Sequence, residues 1–173
     1  MVSEDVLVAQ YLAGYPAEIK QQVLKLVQQG GLPAYLETRY PESHQVVSNN
    51  QLRDYVLELK NQFMRQSAPI SKIQFDDKIH VVKNALGTHS YVSRIQGGKL
   101  KSKNELRVSS LFKQAPAQLL AMIVVHELAH LKEKEHNKAF YRLCEHMLPQ
   151  YHQLELDTRL YLINRQLERH AGS

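Results

Sequence analysis

Residues 119–125 read Leu-Leu-Ala-Met-Ile-Val-Val, the longest apolar run in a chain of 173 residues. Such a run is far shorter than the roughly 20 residues needed to cross a bilayer. It predicts instead a helix anchored in a soluble core. Pro116 opens that helix, where its missing N–H costs nothing, and Leu119, Leu120, Ile123, Val124, Leu128 and Leu131 supply its apolar positions. His126-Glu127-Leu128-Ala129-His130 follows the run without a break. The fold must therefore bring two histidines and a glutamate to the edge of its core.

The rest of the chain predicts an α+β protein. Pro16 opens a helix carrying Ile19, Val23, Leu26 and Val27, and Gly30-Gly31 stops it. A short segment runs from Pro33 to Tyr40. Asn49 or Asn50 is placed to cap a longer helix, with Leu52, Tyr55, Val56, Leu59 and Phe63 on one face and Pro69 beyond its end. The period then changes. Ile70, Ile73 and Phe75, followed by Ile79, Val81 and Val82, flank Asp76-Asp77 and suggest a hairpin; His89–Ile95 and Asn104–Leu111 read as further strands. Helical spacing returns with Phe140, Leu143, Cys144, Met147 and Leu148, which Pro149 ends, and again over roughly 154–167. The expected organisation is a single domain over 1–173, with a helical N-terminal arm at about 1–69 and a catalytic core at 70–173, and the polar stretch 41–49 as the best candidate boundary.

Composition narrows the class. Apolar residues at 43% and charged residues at 23% exclude a disordered tail, a collagen-like fibre and a coiled-coil rod. One cysteine excludes a disulfide framework. Met1–Tyr15 carries acids and no basic region ahead of an apolar stretch. A soluble, reduced, cytoplasmic protein is expected, with no membrane partner.

The chemistry is concentrated in His126–His130. Positions i and i+4 of a helix lie one above the other, so His126 and His130 can address one ion. Glu127, turned by about 100° from His126, stays out of the ligand set yet can reach water held there. That is the arrangement in which a carboxylate takes a proton from metal-activated water. Zinc suits it, because zinc accepts neutral imidazole and works with three protein ligands plus water. His136 leads as third ligand, since it follows the point where the helix should end and a turn can carry it back. Glu145 or His146 on the next helix, and Glu135, are alternatives. Asn137 is placed to cap that next helix. Two solvated histidines on an ordinary helix are the bland alternative, which the position at the end of a core run argues against.

Val124-Val125-His126-Glu127-Leu128-Ala129-His130-Leu131, followed by His136, Ala139-Phe140 and Leu148-Pro149-Gln150-Tyr151, resembles the YgjP-like metallopeptidase family. Lys83-Asn84-Ala85-Leu86-Gly87 and the segment 92–99 extend the resemblance upstream. It implies a minimal zincin-like α+β fold, in which a small three- to four-stranded sheet packs on the active-site helix, with helices at both ends of the chain. It implies zinc held by His126, His130 and His136, Glu127 as the catalytic group, and a zinc-dependent peptidase. Similar proteins are also described as nucleotide pyrophosphatases acting on substrates such as UTP. The chain departs from the wider pattern at Glu135, where an Asn is usual, and at Gln96-Gly97-Gly98, which replaces a common Gly-Ser-Cys stretch.

The net charge of +5 collects partly in Arg94, Lys99, Lys101, Lys103 and Arg107, around Gly97-Gly98. An anion site would use such residues, but a solvated loop and strand face explains them better, because no phosphate-loop signature is present. A nucleic-acid groove would interleave aromatics, and only Tyr91 lies nearby. Cys144 reads as core. Tyr151, His152, Tyr141, Arg94 and Arg159 all stay open as oxyanion donors. Three functions follow. The first is a zinc peptidase, whose extended substrate would add to the edge of the 104–111 strand. The second is a nucleoside-triphosphate pyrophosphatase. The third is a zinc-stabilised interaction module without activity, which has no use for a base at position 127.

Overall fold

A computed structural model describes residues 2–79, 87–96 and 99–172, with side chains at 2–79 and 104–172. The chain is α+β. Its elements run α1 (Glu4–Tyr11), α2 (Ala17–Gln28), α3 (Leu32–Arg39), α4 (Asn49–Phe63), β1 (Ile70–Asp76), β2 (Gly87–Gln96), β3 (Lys99–Ser109), a 3-10 turn (Ser110–Gln114), α5 (Ala117–Ala129), α6 (Lys138–Met147) and α7 (Tyr151–Ala171). They group into two compact units, residues 43–151 and residues 1–42 with 152–173. No helix among the described residues is long and apolar enough to cross a membrane.

In the unit formed by residues 43–151, the sheet has the order β1-β3-β2. β1 runs parallel to β3, pairing Ile73 with Leu106 and Phe75 with Val108. β2 is antiparallel to β3, from Gly87 opposite Val108 to Gln96 opposite Lys99. The hairpin expected across Asp76-Asp77 needs a strand through residues 80–82, which lie outside the described residues; the observed partner of β1 is β3. β3 also ends earlier than the pattern suggests. The Ser109 side chain accepts from the Leu111 amide and turns the chain into the 3-10 segment. Residues 104–108 of β3 are paired with β1 on one side and β2 on the other, so that stretch cannot take an extended substrate by edge addition, as the sequence had suggested.

Helix α5 lies against β3, and α4 against β1 and α5. Leu119, Leu120, Ile123, Val124 and Leu128 are completely buried, and burying each such side chain stabilises the fold by about 1.5–3 kcal/mol. The apolar run is thus the centre of this core. Helix α4 is capped by Ser48 rather than Asn49 or Asn50. Ser48 Oγ accepts from the Gln51 amide while Gln51 Oε1 accepts from the Ser48 amide, a reciprocal capping box. Asn49 is used elsewhere: its Oδ1 accepts from the Phe75 amide and ties α4 to β1.

In the unit formed by residues 1–42 and 152–173, α2 begins after Pro16 and ends before Gly30, whose φ of +70° suits a residue without Cβ. Helix α7 buries Leu154, Leu160, Leu162 and Ile163. It also buries Asp157 completely. That carboxylate accepts from Tyr35 at 2.9 Å, from Tyr40, and from Gln153 at 3.1 Å, and Arg39 lies 3.5 Å away. A buried charge is tolerated when it is paired and hydrogen-bonded in this way.

Candidate metal centre

Helix α5 ends at Ala129, with His130 as its C-cap residue. His126 is buried, His130 half-buried and His136 exposed. One ligand atom from each can be chosen so that all three lie within 4.8 Å of one another. The ring centroids of the three imidazoles stand 4.9–5.0 Å apart, nearly an equilateral triangle. Phe140, fully buried on α6, packs against all three rings at 4.6–5.1 Å.

Local hydrogen bonds build this triangle. After α5 the chain turns, and the Glu133 carbonyl meets His130 Nδ1 at 2.9 Å. A carbonyl can only accept, so Nδ1 carries the proton and Nε2 presents a lone pair. The Asn137 amide donates to the Glu135 carbonyl at 2.9 Å, closing the tight turn that delivers His136. Asn137 then caps α6, its Oδ1 accepting from the Phe140 amide, as the sequence suggested. His136 Nε2 comes to 3.1 Å from His130 Nε2. His126 Nδ1 is held by the Tyr151 hydroxyl at 2.7 Å, which leaves Nε2 for an ion.

The donors fit a zinc-like cation. Two nitrogens bound tetrahedrally at about 2.0–2.1 Å lie about 3.3 Å apart, close to the observed 3.1 Å. His130 is pushed towards its neutral form, chiefly by burial, and neutral imidazole is the form that binds metal. Glu127 is 1% exposed, and its Oε2 has no hydrogen-bond partner among the described residues. Burial raises its carboxyl well above the usual range. A buried carboxylate oxygen without a partner is uncommon, and this one belongs to the residue next to His126.

Glu135, Glu145 and His146 stay out of this cluster. Glu145 and His146 are exposed on α6, and the His146 ring meets Phe63 edge-on at 5.6 Å. Arg107 is engaged by Asp76 at 3.3 Å and Glu105 at 3.2 Å, so its charge is already answered within the sheet. The side chains of Arg94, Lys99, Lys101 and Lys103 lie outside the described residues. Cys144 is buried on α6, in keeping with a core role. Tyr151, left open by the sequence as an oxyanion donor, instead meets His126, and Phe140 touches all three rings from α6, a contact that its helical spacing alone does not reveal.

The YgjP-like metallopeptidase domain matches residues 11–159. The chain belongs to the YgjP-like family. Among curated relatives, the UTP pyrophosphatase of Escherichia coli (strain K12) is 59% identical over 152 residues, covering 88% of this chain and 91% of that protein. No solved structure matches the chain. The YgjP-like match spans the whole triangle together with Glu127, Phe140 and Tyr151.

Proposed function

We propose that this YgjP-like protein is a zinc-dependent hydrolase with a zincin-like site. His126 and His130, through Nε2, and His136 hold the ion, and Glu127 is the catalytic base. The observation that carries this reading is the triangle of ring nitrogens, together with a buried carboxylate bearing an unpartnered oxygen on Glu127, the residue next to His126. A cation bound there supplies Lewis-acid polarisation and makes water more acidic. The protein's own part is proton transfer and orientation. Glu127 accepts a proton from the attacking water, and its raised affinity for protons brings it closer to a pH where it can also give one back. The water oxygen forms the new bond, the scissile bond breaks, and Glu127 returns the proton to the leaving atom. Phe140 keeps the three imidazoles packed while this happens.

The substrate favoured is a nucleoside triphosphate, cleaved at a phosphoanhydride bond, because the relative sharing 59% identity is named a UTP pyrophosphatase. The peptidase expected from sequence stands second, supported by the family description. One screen separates them. Zinc-loaded wild type and Glu127→Gln are compared on UTP, other triphosphates and a peptide library. Wild type should release pyrophosphate from UTP. Glu127→Gln should keep its zinc and lose turnover by about 10²–10⁴-fold, the usual contribution of a general base. Peptide cleavage with intact UTP would reverse the order of the two readings. Unchanged turnover in Glu127→Gln would remove Glu127 from the mechanism.

A further inference from the structure

Tyr151 is the first residue of α7 and is completely buried. Its hydroxyl lies 2.7 Å from His126 Nδ1, and the two rings are nearly parallel, with 19° between their planes and 6.4 Å between their centroids. The backbone leading to it is tightly specified. Leu148 caps α6 in extended conformation, as a residue before proline must. Pro149 cannot continue the helix, and the Tyr151 amide donates to the Leu148 carbonyl at 2.9 Å. This turn sets the tyrosine behind His126, where the sequence had left it open as a donor to a developing oxyanion.

We infer that Tyr151 is a positioning residue for the metal centre, its hydroxyl accepting from His126 Nδ1–H and so fixing the ring and the tautomer in which Nε2 carries the lone pair. The inference rests on the metal reading above. The comparison with His130 supports it. There the partner of Nδ1 is a backbone carbonyl, which enforces that tautomer by itself. At His126 the partner of Nδ1 is a hydroxyl, whose position the Leu148–Tyr151 turn determines. Both α5 histidines thus have an oxygen on the nitrogen that leaves Nε2 for the ion. Partners of this kind orient metal-binding histidines, and losing one typically costs about 10–100-fold in metal affinity.

The test compares wild type with Tyr151→Phe, which keeps the buried ring and removes only the hydroxyl. Zinc affinity is measured by competition with a chromophoric chelator, and the His126 tautomer by nitrogen-15 NMR of the metal-free proteins. Tyr151→Phe should bind zinc about 10–100-fold more weakly. Wild-type His126 should be protonated at Nδ1 with a slowly exchanging proton, and that protection should vanish in the variant. Equal zinc affinity in the two proteins overturns the positioning role while leaving the metal site standing. Wild type that binds no zinc overturns both. Should Tyr151→Phe fail to fold, the wild-type spectrum decides: a His126 ring protonated at Nε2 would sink the inference.

Discussion

His136 and His126 serve one proposed ion from opposite environments. His126 is 5% exposed, held by Tyr151 and Phe140, whereas His136 stands exposed on the turn before α6. Their removal should therefore separate binding from stability. His136→Ala should lose most zinc affinity while the urea stability of the metal-free protein stays within about 0.5 kcal/mol, as for most surface substitutions. His126→Ala should lose zinc and also cost about 1–3 kcal/mol without metal, because it removes a buried ring packed against Phe140 and Tyr151. Metal analysis and urea titrations of the stripped proteins measure both. Equal destabilisation by the two variants would contradict the difference in burial. At this scale the sequence revealed what helical period reveals. His126, Glu127 and His130 fall within five consecutive positions at the end of α5, so the shared face of the two histidines could be read directly. His136 needed a turn whose hydrogen bonds, Glu133 to His130 and Glu135 to Asn137, are not written in any spacing.

Among the elements, helices were easier to read than strand partners. Capping chemistry and apolar period mark α2, α4, α5 and α6 locally, whereas β1 finds its parallel partner some thirty positions onward, with Ile70 opposite Asn104. The contact of α3 with α7 is of the second kind. Tyr35 and Tyr40 meet Asp157 across separations of 122 and 117 residues. Burial, then the bond to the Asp157 carboxylate, pushes Tyr35 up to about 12 and Tyr40 further in the same direction. The folded state therefore holds these phenolic protons more tightly than the unfolded chain, whose tyrosines ionise near about 10. Their contribution is complete below about pH 10 and is lost as pH rises towards 12. The urea midpoint of wild type should fall through that window. Burial shifts Tyr11 and Tyr55 upward as well, so the informative comparison is with Tyr35→Phe/Tyr40→Phe. That double variant should be less stable at neutral pH and show a shallower alkaline decline. An unchanged slope would mean that Asp157 does not hold the two protons.

For the molecule as a whole, the residues proposed to hold and use the ion all fall in the unit spanning 43–151, while the other unit joins the first 42 residues to the last 22. Changes of period along the sequence set off a helical arm at about residue 69 within one domain; the unit that joins the two ends of the chain is held instead by long-range pairs such as Tyr40 with Asp157 and the Tyr11 carbonyl with Arg159. This arrangement decides where metal should be felt. An ion that binds only the folded site stabilises it by mass action, about 4 kcal/mol at a thousand times its Kd. In hydrogen exchange read by mass spectrometry, stripping the metal with a chelator should speed amide exchange first in α5, the 130–137 turn and α6, where the ligands and Phe140 lie. Peptides from α2, α3 and the body of α7 should change less, since none of their side chains is proposed to touch the ion. Restoring zinc should reverse the effect, and His136→Ala should abolish the response. A uniform response over both units would show that the ion's stabilisation is spread through one cooperative body, and no response anywhere would count against the metal centre itself.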